Sequence, residues 1–124
     1  MTGIDILECH HYEQLRKSAI SNDVITERGY RTIGDKAELA ILGFSSMQQH
    51  VPGILLPQWG VDGKITDYQY RPDNPRINTK GKVIEYENPA GSSIRLDVPP
   101  RCQKMLGDPK IPLWITEGSK KRMP

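Results

Sequence analysis

Apolar side chains recur at helical spacing near the beginning of the chain. Tyr12, Leu15 and Ala19 fall on one face of a segment that spans residues 12–20, and this spacing predicts a short amphipathic helix. A polar Ser-Asn-Asp run follows it and offers an N-cap for a second helical turn over residues 24–28. The first third of the chain is therefore predicted to be helical.

Glycines end the predicted helical units. Gly29 is placed to act as a C-terminal stop for the second of them. Residues 30–33 form a short extended segment, after which Asp35 is placed to cap a third helix over residues 36–42 that ends at Gly43. A small helical cap is the plain interpretation of this pattern, and a docking or nucleic-acid-reading subdomain is the alternative.

The pattern changes from helical to extended after this point. Residues 53–57 form a continuous apolar run of strand length, which predicts a central strand. Asp62 and Gly63 then precede an alternating segment over residues 64–71. Asp-Gly is a favoured two-residue hairpin turn because both positions tolerate positive φ. We therefore predict a β-hairpin here.

Prolines and glycines divide the second part of the chain into short segments. The ten prolines and eleven glycines favour short strands and many turns. We expect further strands over residues 82–86 and 94–98 and one helical turn over residues 103–106. The whole pattern predicts an α+β fold, with a helical cap over residues 1–43 and a mainly antiparallel, strand-rich region over residues 44–124.

Charge is distributed unevenly along a chain whose 26% charged and 36% hydrophobic content is typical of a globular domain. Residues 1–62 carry a net charge of −3 and residues 63–124 a net charge of +5. A basic region with interleaved tyrosines suits a polyanion, although a solvated strand face accounts for it equally well. The candidate nucleic-acid-binding residues of this region are Arg71, Arg76, Lys80, Lys82, Tyr68 and Tyr70.

Cysteines and histidines do not form a metal-binding pattern in the sequence. Cys9, His10 and His11 are adjacent, but a structural zinc site needs four ligands, and the other candidates, His50 and Cys102, are isolated. We therefore expect no metal site, no disulfide, and two histidines that flank the start of the first helix.

Other chemistries lack their required motifs. The sequence has no Gly-x-Ser-x-Gly elbow, no phosphate-binding P-loop and no His-Glu-x-x-His pair. It also has no apolar run near the roughly 20 residues of a membrane helix and no signal-peptide pattern at its N-terminus. We expect a cytoplasmic protein that does not interact with membranes.

Several short motifs carry a resemblance by their order along the chain. They are Pro52-Gly53-Ile54-Leu55-Leu56-Pro57, Asp62-Gly63, Tyr70-Arg71-Pro72-Asp73, Glu85-Tyr86-Glu87-Asn88-Pro89-Ala90-Gly91 and Leu113-Trp114-Ile115-Thr116-Glu117-Gly118-Ser119-Lys120-Lys121. In this order the chain resembles a family of uncharacterised domains that precede a Toprim module in primase-like proteins of phages, plasmids and integrated elements. It resembles the catalytic core of bacterial DNA primase more distantly.

The resemblance implies a Toprim-type catalytic site of which this chain holds only a part. Glu117 would be the Toprim acid, vestigial or truncated, while Lys120 and Lys121 would add to the nucleic-acid contacts. A complete Toprim site would hold Mg²⁺ through further carboxylates, but the sequence contains no Asp-x-Asp pair. Glu85 stands where primases have a lysine, so Lys82 or Arg71 would have to replace that contact.

These observations favour a nucleic-acid-contacting domain of a mobile-element replication protein. Single-stranded DNA is the expected partner, and the chain should need no cofactor and catalyse nothing by itself. A protein-interaction module is the alternative, for instance a small phage-encoded regulator whose acidic N-terminal helices dock on a host protein. A complete enzyme would require the missing ligands to come from another chain.

Overall fold

The structure is a computed structural model that describes residues 7–92 and 97–112. Within these residues three helices and three strands follow one another in an α+β arrangement, as the sequence predicts. The helices are α1 (Cys9–Lys17), α2 (Asn22–Arg28) and α3 (Lys36–Ile41), the strands are β1 (Arg31–Ile33), β2 (Gly53–Trp59) and β3 (Ile65–Pro72), and 3₁₀ turns cover Ser46–Gln48 and Pro100–Met105.

The helix ends follow the predicted capping residues. The Ser21 hydroxyl accepts a hydrogen bond from the backbone of Val24 at the start of α2, and Asp35 caps α3 in the same way. Helix α1, however, begins at Cys9, three residues before the predicted start. His10 and His11 therefore lie inside its first turn instead of flanking it.

The sheet has the order β1-β2-β3 and is antiparallel throughout. Strand β2 is central, because Leu55 pairs with Arg31 of β1 on one side and with Tyr70 of β3 on the other. Its apolar run is buried on both faces, which confirms the prediction for residues 53–57. Since β1 comes from the predicted helical cap, the cap and the strand-rich region share one sheet.

The β2–β3 hairpin forms, but its turn is longer than the predicted two residues. The Gly60 N–H donates to the Lys64 carbonyl at 2.8 Å, which leaves a three-residue loop. Gly63 has φ 79°, whereas Asp62 does not have a positive φ. A three-residue loop that ends in a left-handed glycine gives a bulged hairpin, so only the glycine needs the special conformation.

Two apolar clusters cover the two faces of the sheet. Helices α1 and α2 pack with Ile54 and Leu56 on one face. Leu55, Tyr70 and Phe44 belong to the cluster on the opposite face. The alternation of Ile54, Leu55 and Leu56 between the clusters follows directly from the two-residue period of a strand.

A buried ion pair joins the first of these faces to the far end of the described chain. The Arg28 side chain, 0% exposed, donates to the Asp97 carboxylate at 2.6 Å. Asp97 also accepts from the Trp59 backbone at 2.9 Å. The two other guanidinium nitrogens of Arg28 are buried and have no hydrogen-bond partner among the described residues. This pair connects α2, β2 and the segment that follows residue 96.

The later extended segments differ from the prediction. Residues 82–86 are not a strand; isolated bridges pair Val83 with Ile77 and Glu87 with Tyr70. Of the predicted strand at 94–98, residues 94–96 lie outside the described residues. The predicted turn over residues 103–106 is part of the longer 3₁₀ turn. No helix in the part of the chain that the structure describes has the length and apolar character needed to cross a bilayer.

Candidate functional site

Most of the predicted basic residues lie on or beside an irregular hairpin over residues 76–84, which we call the 76–84 hairpin. The Asn78 N–H donates to the Lys82 carbonyl and the Ile84 N–H to the Arg76 carbonyl, each at 2.9 Å. The Asn78 side chain also accepts from the backbone N–H groups of Lys80 and Lys82 at 2.9 Å. Asparagine thus organises this turn through its short side chain.

The tip of the 76–84 hairpin is the most open part of the predicted site. Lys80 and Lys82 are exposed, and neither forms an ion pair with another described residue. Ile77 and Val83 pair across the hairpin and are 64% and 51% exposed. The tip therefore presents two free ammonium groups beside an apolar pair.

Arg76 has a different role from the two lysines. Its guanidinium makes two hydrogen bonds to the Glu87 carboxylate, at 2.7 and 3.1 Å. Glu87 is only 4% exposed and also accepts from the Gln48 side chain at 3.2 Å. This bidentate pair with a buried carboxylate holds the base of the 76–84 hairpin in place. The Arg76 guanidinium therefore has a structural role.

Arg71 is also paired, but more loosely. It donates to Glu85 at 3.0 Å and lies 5.6 Å from the centre of the Tyr86 ring. The side chain of Glu85 is 57% exposed, so this ion pair is accessible to solvent. An exposed ion pair of this kind contributes little to the free energy of folding, so Arg71 can leave Glu85 for another anion at little cost.

The two tyrosines predicted to stack on bases occupy different environments. Tyr70 is fully buried and donates its hydroxyl hydrogen to the His50 carbonyl at 2.6 Å. Burial, and secondarily the negative charge of Asp73, raise the pKa of Tyr70 well above its ordinary value. The Tyr70 ring is therefore part of the core and is not exposed for stacking on a base, whereas Tyr68 is only half-buried.

Glu117, Lys120 and Lys121 lie outside the described residues. Their predicted roles, as a vestigial Toprim acid and as nucleic-acid contacts, stay predictions.

A cleft of about 600 Å³ opens beside the base of the 76–84 hairpin. Its wall combines His10 and Asp73 with the Arg71–Glu85 pair and Val83. The sequence places these residues in three separate segments, and the hairpin and the β3 terminus bring them together. The cleft contains protonatable groups of both signs.

A cluster of polar side chains forms the His10 end of the cleft. We call Glu8, His10, His11, Thr32 and Asp73 the histidine cluster. The two oxygens of Asp73 contact the Nε2 atoms of His10 and His11 at 2.8 and 2.7 Å. His11 Nδ1 lies 2.7 Å from the Thr32 hydroxyl, and His10 Nδ1 lies 3.4 Å from the Glu8 carboxylate. Each imidazole is thus contacted at both nitrogens.

Burial differs across this cluster. His11 is 0% exposed, whereas the side chain of His10 is 53% exposed and faces the cleft. Partial burial alone would raise the pKa of Asp73, but hydrogen bonds and positive charge from His11 and His10 outweigh it and lower that pKa. Asp73 is therefore an ionised carboxylate at neutral pH.

Little in the sequence indicates this cluster. Asp73 is 62 residues from His11 and Thr32 is 21 residues from it, so no local spacing reveals them. The adjacency of His10 and His11 is the available signal. The cysteines considered as zinc ligands do not join them: Cys9 is exposed outside the group of potential ligands, and Cys102 is a free thiol elsewhere.

Comparisons with known proteins leave the family open. No protein-family model, curated protein or solved structure matches this chain.

Proposed function

We propose that this chain is a nucleic-acid-contacting domain that binds single-stranded DNA through the 76–84 hairpin. The observation that carries the proposal is the pair of exposed lysines on that hairpin, Lys80 and Lys82, which form no ion pair with any residue that the structure describes. Ammonium groups that are not neutralised by neighbouring carboxylates are free to displace counterions from phosphates. The resemblance to Toprim-associated domains supplies the setting, replication of a mobile element, in which such contacts are needed.

The set of nucleic-acid contacts is smaller than the sequence predicts. Arg76 stays with Glu87 and Tyr70 stays in the core, so phosphate contacts fall to Lys80 and Lys82, with Arg71 available if Glu85 releases it. Such a site binds the backbone without reading sequence. The affinity should therefore be modest and strongly dependent on salt.

The test is the salt dependence of binding to a labelled oligothymidylate, followed by fluorescence anisotropy. The Lys80→Ala/Lys82→Ala double variant should bind more weakly, and its salt slope should be shallower by about 1.4, because each phosphate that is no longer neutralised reduces the slope by about 0.7. The matched control is Lys17→Ala/Lys36→Ala, which removes the same charge from exposed positions on α1 and α3. It should keep the parental slope.

Two outcomes would refute this proposal. Equal losses of affinity in both double variants would mean that binding reflects net charge alone. Absence of binding at low salt would instead favour the protein-interaction alternative, for which the exposed Ile77–Val83 pair offers an apolar contact. Binding of a protein partner through that pair would depend weakly on salt.

A further inference from the structure

We propose that His10, His11 and Asp73 form a binding site for a divalent transition-metal ion of the zinc class, with its open coordination position on the cleft. This inference is independent of DNA binding by the 76–84 hairpin. It also departs from the sequence expectation of no metal site, because it depends on Asp73, which the sequence does not connect to the histidines.

The proposed ligand atoms meet at one carboxylate. The Nε2 atoms of both histidines face the two oxygens of the same Asp73 carboxylate, at 2.8 and 2.7 Å. The Glu8 carboxylate also lies near the two imidazoles, since these three residues each offer a ligand atom within 4.8 Å of the others. A zinc ion needs ligand distances of about 2.0–2.2 Å, so a slight widening of the contacts to Asp73 would admit it.

Charge favours a cation at this point. Glu8 and Asp73 carry two negative charges, and no lysine or arginine among the described residues pairs with either of them. A divalent ion would balance both charges.

The outer nitrogens of the histidines already have partners suited to a metal site. If Nε2 of His11 binds the ion, its proton resides on Nδ1, which then donates to the Thr32 hydroxyl at 2.7 Å. His10 Nδ1 lies 3.4 Å from the Glu8 carboxylate, so a small side-chain rotation would let it donate there. Metal-bound histidines usually donate their second N–H to an oxygen, and that contact fixes the ring orientation.

The donor set and its surroundings indicate the metal class and the type of site. Two imidazoles and one carboxylate suit zinc, iron, cobalt or nickel better than magnesium, which prefers oxygen ligands. Three protein ligands leave a position for water, and His10 and Asp73 line the cleft from which water enters. His11, fully buried, holds the opposite side of the site rigid.

The experiment titrates the chelator-treated full chain with Co²⁺ and with Zn²⁺. Co²⁺ should give visible d–d bands of low coordination number, and Zn²⁺ should displace it and raise the melting temperature. His10→Gln and Asp73→Asn should each weaken Zn²⁺ binding at least about tenfold. Thr32→Val, which removes the oxygen that orients His11, should weaken it by a comparable factor.

Two control variants separate this site from adventitious binding. Cys9→Ser tests the neighbouring exposed thiol, and His50→Gln tests a histidine outside the cluster; both should keep the parental affinity. His10→Gln changes an exposed side chain and should fold even if Asp73→Asn does not, which circular dichroism will check. Unchanged binding in folded His10→Gln, or thiolate charge-transfer bands that Cys9→Ser removes, would overturn the proposal.

Discussion

Two of the polar clusters that join distant parts of the described chain differ in their access to water. The Arg28–Asp97 pair is 0% and 5% exposed and lies against β2. The histidine cluster buries His11 but leaves His10 open to the cleft. The first cluster joins a guanidinium to a carboxylate, whereas the second joins two carboxylates to two imidazoles. Burial of both partners indicates a structural role for the first cluster, while the access of His10 to water is what the proposed binding role of the second requires.

The largest effect should come from breaking the buried pair. Arg28→Ala removes the buried guanidinium that donates to the Asp97 carboxylate, and breaking a buried ion pair in this way typically costs about 3–5 kcal/mol of unfolding free energy. Urea denaturation measures this loss. The matched control is Arg31→Ala, which breaks a half-exposed ion pair with Glu38 of similar length, 2.6 Å, and should cost no more than about 1 kcal/mol. Equal costs would mean that burial does not distinguish the two pairs.

An intermediate effect is expected from the histidine cluster in the absence of metal. Asp73→Asn keeps the shape of the side chain but turns one acceptor into a donor that opposes a histidine N–H, and we expect a loss of about 1–3 kcal/mol. Denaturation in the presence of a chelator gives this value. Glu85→Gln, another carboxylate of the same cleft, should change stability by less than about 0.5 kcal/mol because its side chain is exposed. If Asp73→Asn were as mild, the cluster would have no structural role.

The smallest loss of stability at neutral pH is expected from removing the hydroxyl group of Tyr70. The Tyr70 side chain is as buried as that of Arg28. Tyr70→Phe removes the hydrogen bond to the His50 carbonyl and should cost about 1 kcal/mol. Because burial raises the folded-state pKa of Tyr70, its stabilising contribution is complete below the ordinary pKa of 10.0 and declines as the pH rises above it. The parent should therefore lose stability above pH 10 relative to Tyr70→Phe.

Melting temperatures between pH 8 and about 11 would test this alkaline difference. Tyr68→Phe is the control, because Tyr68 is half-buried on the same strand, and it should retain the alkaline sensitivity of the parent. Parallel alkaline melting of the parent and Tyr70→Phe would show that Tyr70 is accessible, contrary to its burial.

Local signals in the sequence determined most of the secondary structure. Ser21 and Asp35 cap the helices they were predicted to cap, because a cap depends on residues within one turn of it. The apolar run over residues 53–57 forms the central strand because a strand with apolar side chains on both faces is removed from water only when both faces are covered. The Asp62-Gly63 signal located the hairpin but not its loop length, because one positive φ suffices in a bulged turn.

Tertiary structure alone decided which polar residues are available for function. Arg71, Arg76 and Lys82 look alike in the sequence, yet Glu85 and Glu87 pair with the arginines. Lys82 forms no ion pair within residues 7–92 and 97–112. These partners lie 14 and 11 residues away, across an irregular hairpin with no reliable sequence period.

The histidine cluster shows the same limit over a greater distance. His10 and His11 are visible as neighbours, but Asp73 reaches them only because β3 ends beside α1. The sequence determined the donor chemistry of each side chain. The packing of helices on the sheet determined which donors meet, since contacts between residues so far apart depend on the whole fold.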